Sequence, residues 1–264
     1  MLELFETNPQ VDVPEAEYQR LLGYPKKFVM TGRARELADA ARKWYSENGH
    51  PWFYARQVGS LELADGKLRV GGTEFCSKRL HDLFVEARAE CAVLVAVSAG
   101  RKCEEHARQL WQDGKPDEYF FLEIFGSAVA EQLIAAASGK ICAWADGRGE
   151  AVLPHHSPGY SGWDILDQVK LWNLINSNPS SRLEGRLEGM ESGMLRPKKS
   201  LLAIFGVTRD VEKARRFTKL IPCETCSLAN CRYRRAPKKR SLRYFDTVQF
   251  QTKQLVGHAE KTLE

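Results

Sequence analysis

Cys91-Ala92-Val93-Leu94-Val95-Ala96-Val97-Ser98 is an unbroken apolar run of strand length. A strand with one wet face alternates apolar and polar residues. This run offers water neither face, which predicts a strand buried on both sides in the middle of a sheet. Cys91 then reads as a small core residue. Just upstream, Ser77 to Glu90 carries Leu80, Phe84 and Ala87 at helical spacing, with Ser77 as a cap. Val58 to Val70 holds two short alternating strands around Asp65-Gly66, a hairpin turn pair. Farther back, Thr31 to Asn48 sets Leu37, Ala41 and Trp44 on one helical face. Asn48-Gly49 reads as a left-handed stop, with Pro51 just beyond. Glu15 to Leu22 predicts a short helix in a start broken by Pro9, Pro14 and Pro25.

Downstream of the run, Arg101 to Trp111 predicts a polar helix. A long helix follows from about Asp117 to Ser138, closed by Gly139, and Ile141 to Ala145 reads as a short strand. In the long helix Gly126 and Ser127 let a backbone or a ligand come close. Glu131, one turn on from Ser127, can face a cationic group such as a sulfonium or an amine; the other reading is a solvated surface residue.

A chain of 264 residues, 43% hydrophobic and 28% charged, is long enough to bury a sizeable core and ordinary for a globular protein. No continuous apolar run approaches the roughly 20 residues of a membrane helix, and the start lacks a signal peptide's pattern. A soluble, cytoplasmic protein is expected. Seven cysteines, an odd number, fit thiol or metal chemistry better than a disulfide framework. The net charge of +5 is mild and concentrated late in the chain.

His155-His156-Ser157-Pro158-Gly159-Tyr160-Ser161-Gly162-Trp163 leads into a helical run from Asp164 to Asn176. Pro158-Gly159 is a turn signal, and Gly159 permits a positive φ or close backbone approach. Two histidines, a serine and a tyrosine supply donors and acceptors in the same loop. The stretch reads as a small-molecule site or, on composition alone, as an ordinary loop entering a helix. Free N–H groups at that helix start are suited to a ligand carboxylate.

Read together and in order, LLGYPKK (21–27), SPGYSGW (157–163), PKKSLLAIFGV (197–207) and CETCSLANCRYRR (223–235) resemble stand-alone proteins related to the activation domain of cobalamin-dependent methionine synthase. The resemblance implies an α+β fold with a bent, mostly antiparallel sheet flanked by helices around a cleft, and a strand at Leu201 to Val207 that shares the sheet with the hairpin and the 91–98 run. It divides the chain into an activation-domain-like part, 1–207, and a cysteine-rich basic extension, 208–264. It implies an accessory protein of cobalamin-dependent methyl transfer that binds S-adenosylmethionine and assists reductive reactivation of a corrinoid. In that reading Ser157 and Gly159 contact the ligand, Tyr160 covers it, and Glu131 faces its positive end. His155 stands where the family often has arginine, and a neutral imidazole offers one donor where guanidinium offers a fork. The chain lacks an Asp-x-His-x2-Gly cobalamin motif, so cobalamin would arrive on a corrinoid protein or split methionine synthase. An acidic donor such as flavodoxin or ferredoxin would supply the electron.

Cys223-x2-Cys226-x4-Cys231 is the strongest chemical signal that spacing alone provides. Three close thiolates can hold zinc or an iron-sulfur cluster, with the fourth ligand from Cys76, Cys103, Cys142 or a histidine. Seven basic residues follow between Arg232 and Arg243, interleaved with Tyr233. They form a solvated tail, a dock for an acidic protein, or a nucleic-acid surface, the last being the least expected partner. The alternative function is therefore a non-enzymatic metal-binding module acting through that tail.

Overall fold

The computed structural model describes residues 1–218 except 26, 65, 179–182 and 184. The chain divides into two units, Met1–Lys219 and Leu220–Glu264, and the described residues belong to the first. In order the elements are β1 (Glu3–Thr7), α1 (Glu15–Leu21), α2 (Gly32–Asn48), β2 (Trp52–Val58), β3 (Leu61–Ala64), β4 (Lys67–Val70), β5 (Thr73–Phe75), α3 (Lys78–Glu86), β6 (Cys91–Ser98), α4 (Arg101–Gln112), α5 (Pro116–Asp146), β7 (Ala151–Val152), α6 (Asp167–Asn176), β8 (Glu188–Gly189), β9 (Leu195–Arg196), β10 (Ser200–Thr208) and α7 (Val211–Thr218).

The central run is β6, and every one of its residues is buried. It lies between β2 and β10 in a curled antiparallel sheet of order β1-β2-β6-β10-β7. The period of two explains why the run is apolar throughout. Val93, Val95 and Val97 join Phe53, Ala55, Ala203 and Phe205 on the face covered by α5. Ala92, Leu94 and Ala96 join Tyr54, Leu202 and Ile204 on the other face, beneath Trp163, Leu171 and Trp172. The expected α+β architecture, a mostly antiparallel sheet flanked by helices, is the one observed.

Several local expectations differ. The hairpin pairs as read, Leu61 with Val70 and Leu63 with Leu68, but it belongs to a separate small sheet of order β3-β4-β5. The main sheet uses β1 and β2 instead. The long helix does not stop at Gly139. Ile141 and Ala145 extend the buried face of Leu133, Ile134 and Ala137, and that packing outweighs the roughly 1 kcal/mol cost of a mid-helix glycine. Residues 141–145 are therefore helix, not strand. α5 is long and apolar enough to cross a membrane by length and composition, yet its apolar side chains form the core against the sheet. Gly49 has φ −65°, so α2 ends without a left-handed residue. Ser77 caps α3 as expected, accepting from the Leu80 N–H at 3.3 Å. Ala214 and Phe217 of α7 are buried in the core, which thus continues past residue 207.

Candidate functional site

After β7 the chain stays beside β10. The Leu153 N–H donates to the Gly206 carbonyl at 2.8 Å, and His156 exchanges backbone hydrogen bonds with Ile204 at 3.0 and 2.9 Å. The 157–163 turn then closes on itself. Tyr160 N–H donates to Ser157 O at 3.0 Å, Trp163 N–H to Tyr160 O at 2.9 Å, and Gly159 N–H to Trp163 O at 3.0 Å. Gly159 sits at φ 88°, the conformation expected for the third residue of a Pro-Gly turn. A Cβ there would lie 2.8 Å from Ile165 Cδ1. The close approach that this glycine permits is thus made by the chain's own isoleucine.

The helix start behind the loop is also occupied. α6 begins at Asp167, three residues later than the sequence suggests. The Leu166 N–H donates to the Asp164 carboxylate at 2.9 Å, and the N–H groups of Asp167, Gln168 and Val169 donate to Asp164, Ile165 and Leu166 carbonyls. The free N–H groups expected for a ligand carboxylate are consumed by the turn leading into the helix.

Any ligand contact at this loop would therefore be made by side chains. Cross-strand pairing with Ile204 puts His156 on the α6 face of the sheet, where its ring stacks on Trp163 with centroids 5.8 Å apart and planes at 11°. His155 takes the opposite face and meets Phe205 at 5.5 Å, a core residue on the α5 side. Tyr160 spans the two: its hydroxyl is 3.4 Å from His155 Nε2, and its ring meets His156 edge-on at 5.5 Å. Burial, then the charge of Arg79 and the neighbouring His155, push the His156 imidazole down to about 4, with a backbone hydrogen bond at Ser161 opposing the shift. At neutral pH that ring is uncharged. His156 and Ser157 are only 8% and 2% exposed, and His156 Nε2 and Ser157 Oγ have no hydrogen-bond partner among the described residues.

Trp163 is locked from below. Its indole N–H donates to Asp167 Oδ2 at 2.9 Å, the Cys76 N–H reaches the same oxygen at 3.3 Å, and Lys170 pairs with Oδ1 at 2.7 Å. Burial opposes the Asp167 charge, but Lys170, Trp163 and Cys76 outweigh it and hold the carboxyl below its usual range. Sequence reading missed this clamp. The signal was present: Trp163 and Asp167 are four residues apart, one helical turn.

On the α5 side, Glu123 gathers both lysines, Lys198 at 3.1 Å and Lys199 at 3.0 Å, and Lys199 also donates to Ser127 at 3.1 Å. The close approach at Gly126 is made by Cys103 Sγ and the Lys199 stem, 2.9 and 3.1 Å from a Cβ placed there. Glu131 is half-buried on α5, one turn beyond Ser127. The structure thus gathers His155, Ser157, Gly159 and Tyr160 in one loop and puts Glu131 on the helix covering the face that His155 reaches. Cys223, Cys226 and Cys231 lie outside the described residues. Among the described residues no group of three metal-ligating side chains occurs, and burial, with Glu123, pushes the Cys103 thiol up to about 12.

No family model matches this sequence, and no curated protein matches it. A search of solved structures finds the crystal structure of the MetH reactivation domain bound to AdoHcy, at 11% identity with a TM-score of 0.51. The fold is that of the MetH reactivation domain. The match covers 66% of this chain and 65% of that one, so the likeness spans about two thirds of the MetH structure's length and carries the fold alone.

Proposed function

We propose that this chain is a cytoplasmic accessory protein of cobalamin-dependent methyl transfer, binding S-adenosylmethionine through the 155–160 loop and assisting the reductive reactivation of a corrinoid held by a partner. The observation that carries the reading is the loop itself. In a MetH reactivation fold, it presents His155, Ser157 and Tyr160 from a segment pinned to the edge of β10. Tyr160 covers the ligand, Ser157 meets it with its hydroxyl, His155 offers a single imidazole where a guanidinium would offer a fork, and Glu131 faces the positive end. The buried, unpartnered Ser157 Oγ suits a ligand rich in polar groups. When bound, the sulfonium supplies a methyl group already activated for transfer; the chain supplies position and electrostatics.

Cobalamin and the electron arrive on other proteins in this reading, a corrinoid protein or split methionine synthase and an acidic donor such as flavodoxin or ferredoxin. Calorimetry with S-adenosylmethionine and S-adenosylhomocysteine tests the core of it. The expected result is saturable heat that disappears in Tyr160→Ala with the fold intact; no heat from either compound removes the reading. For Cys223, Cys226 and Cys231 we propose a zinc or iron-sulfur site in the extension. Metal analysis and the visible spectrum of anaerobically purified protein decide it, and a metal-free chain with three titratable extra thiols refutes it.

A further inference from the structure

Among the described residues, three buried side-chain polar atoms lack a hydrogen-bond partner: Arg56 Nε, His156 Nε2 and Ser157 Oγ. Two of the three are on consecutive residues of the candidate loop. A buried polar atom left unmet is destabilising, so two on neighbouring residues point to a partner that comes from outside. Backbone rearrangement cannot provide one, because His156 is held by both its N–H and its carbonyl to Ile204. The chemistry of the pair narrows the partner. The Ser161 backbone favours the protonated His156 ring, as a carbonyl facing a ring N–H does; with Nδ1 turned to that carbonyl, the unpartnered Nε2 of the neutral ring is a lone-pair acceptor. A lone pair repels carboxylates and phosphates. The charge of Arg79, felt at His156, disfavours an ammonium group. Neutral O–H and N–H donors remain.

We propose that His156 and Ser157 form a hydroxyl-reading subsite, in which Nε2 accepts from one hydroxyl of a ligand and the serine Oγ exchanges a hydrogen bond with its neighbour, as on the diol of a ribose. The subsite deepens the function above and rests on it for the choice of probe. Its Trp163 and Tyr160 rings flank the imidazole at 5.8 and 5.5 Å, fixing the direction in which Nε2 accepts.

The test uses the full chain, with adenosine, 2′-deoxyadenosine, 3′-deoxyadenosine and S-adenosylhomocysteine as probes. Calorimetry gives affinities, and ¹⁵N resonances report His156 Nε2. Adenosine is expected to move the Nε2 resonance. At least one deoxy compound should bind about tenfold more weakly, the worth of one neutral hydrogen bond. Ser157→Ala and His156→Phe should erase that discrimination, and Ser157→Ala without ligand should melt no lower than wild type, since it deletes an atom with no partner to lose. If adenosine discriminates in this way but S-adenosylhomocysteine does not bind, the subsite stands and the proposed function falls. If S-adenosylhomocysteine binds while the deoxy compounds match adenosine, the function stands and the subsite falls. No movement of Nε2 with any nucleoside, or a lower melting point of ligand-free Ser157→Ala, marks an internal water as the partner and overturns the subsite.

Discussion

Asp167→Ala probes the clamp under the loop. The carboxylate is 5% exposed and accepts from the Trp163 indole at 2.9 Å and the Cys76 N–H at 3.3 Å. Removing it orphans the indole N–H of a tryptophan that is 4% exposed, at a cost of about 1–3 kcal/mol. The Cys76 bond is long, and Cys76 is exposed, so water replaces it. Lys170 is 53% exposed in the pair, and its loss adds at most about 1 kcal/mol. The expected destabilisation is therefore about 2–3 kcal/mol, most of it routed through Trp163. Trp163→Phe removes the orphaned donor, so the double variant should fall short of additivity by about 1–2 kcal/mol. Urea unfolding followed by circular dichroism, with unchanged m, measures the cycle. An Asp167→Ala loss below about 0.5 kcal/mol, or strict additivity with Trp163→Phe, refutes the clamp. Because the folded carboxyl is held below its unfolded value, the contribution is complete above the unfolded pKa. It is lost as pH falls through the lower folded one.

Gly159→Ala meets both a positive φ of 88° and Ile165 Cδ1 at 2.8 Å, and should cost about 2–4 kcal/mol in a thermal or urea melt. Gly162→Ala, at φ 83° with 3.5 Å to Arg79 Cβ, should cost only the backbone strain of about 1–2 kcal/mol; equal losses would contradict the packing at Ile165. The His156 ring, with a folded pKa of about 4 against 6.5, binds its proton less readily folded than unfolded. Stability should be complete above pH 6.5, decline as pH falls towards 4 by up to about 3 kcal/mol, and change no further below; His156→Phe should flatten this slope, and an NMR titration with a midpoint near 6.5 would contradict the burial. His155→Arg supplies the guanidinium fork, so S-adenosylhomocysteine, which carries a carboxylate, should bind about tenfold tighter while adenosine does not change; a parallel gain for both would refute a carboxylate contact at this position.

The core of the fold was legible where two faces are covered at once. CAVLVAVS admits no amphipathic reading, whereas its partner, Leu201 to Val207, came from the family resemblance. WFYARQV, which is β2, was hidden because Arg56 and Gln57 interrupt its apolar character and the hairpin reading claimed Val58. Arg56 satisfies one donor at the Leu174 carbonyl, and a tertiary contact of that kind has no local signature. Gly139 misled in the opposite direction: a glycine stops a helix only when the flanking residues have nothing to bury, and Ile141 and Ala145 do. At the site, the Pro-Gly turn and the crowding of polar side chains were readable. The partner of Gly159 was not, because nothing in Asp164-Ile165-Leu166 hints that the isoleucine folds back onto the glycine.

The loop's self-sufficiency has a consequence for recognition. With the N–H groups of Gly159, Tyr160 and Trp163 committed to the turn and the first N–H groups of α6 committed to the carbonyls of Asp164, Ile165 and Leu166, none of these donors remains to grip a ligand. Discrimination in such a loop rests on residue types at 155, 156, 157 and 160, and these can change without disturbing the turn that holds them. A fold can then be kept at 11% identity to the MetH structure while the side chains at such positions change. What the backbone pairing fixes is the geometry that splits two adjacent histidines across the sheet, His155 against Phe205 and His156 against Trp163. A one-residue slip in the pairing of His156 with Ile204 would exchange their faces and move both away from their partners. The register at β10 thus sets which histidine meets the α5 side, and with it which chemistry the loop can present to a ligand there.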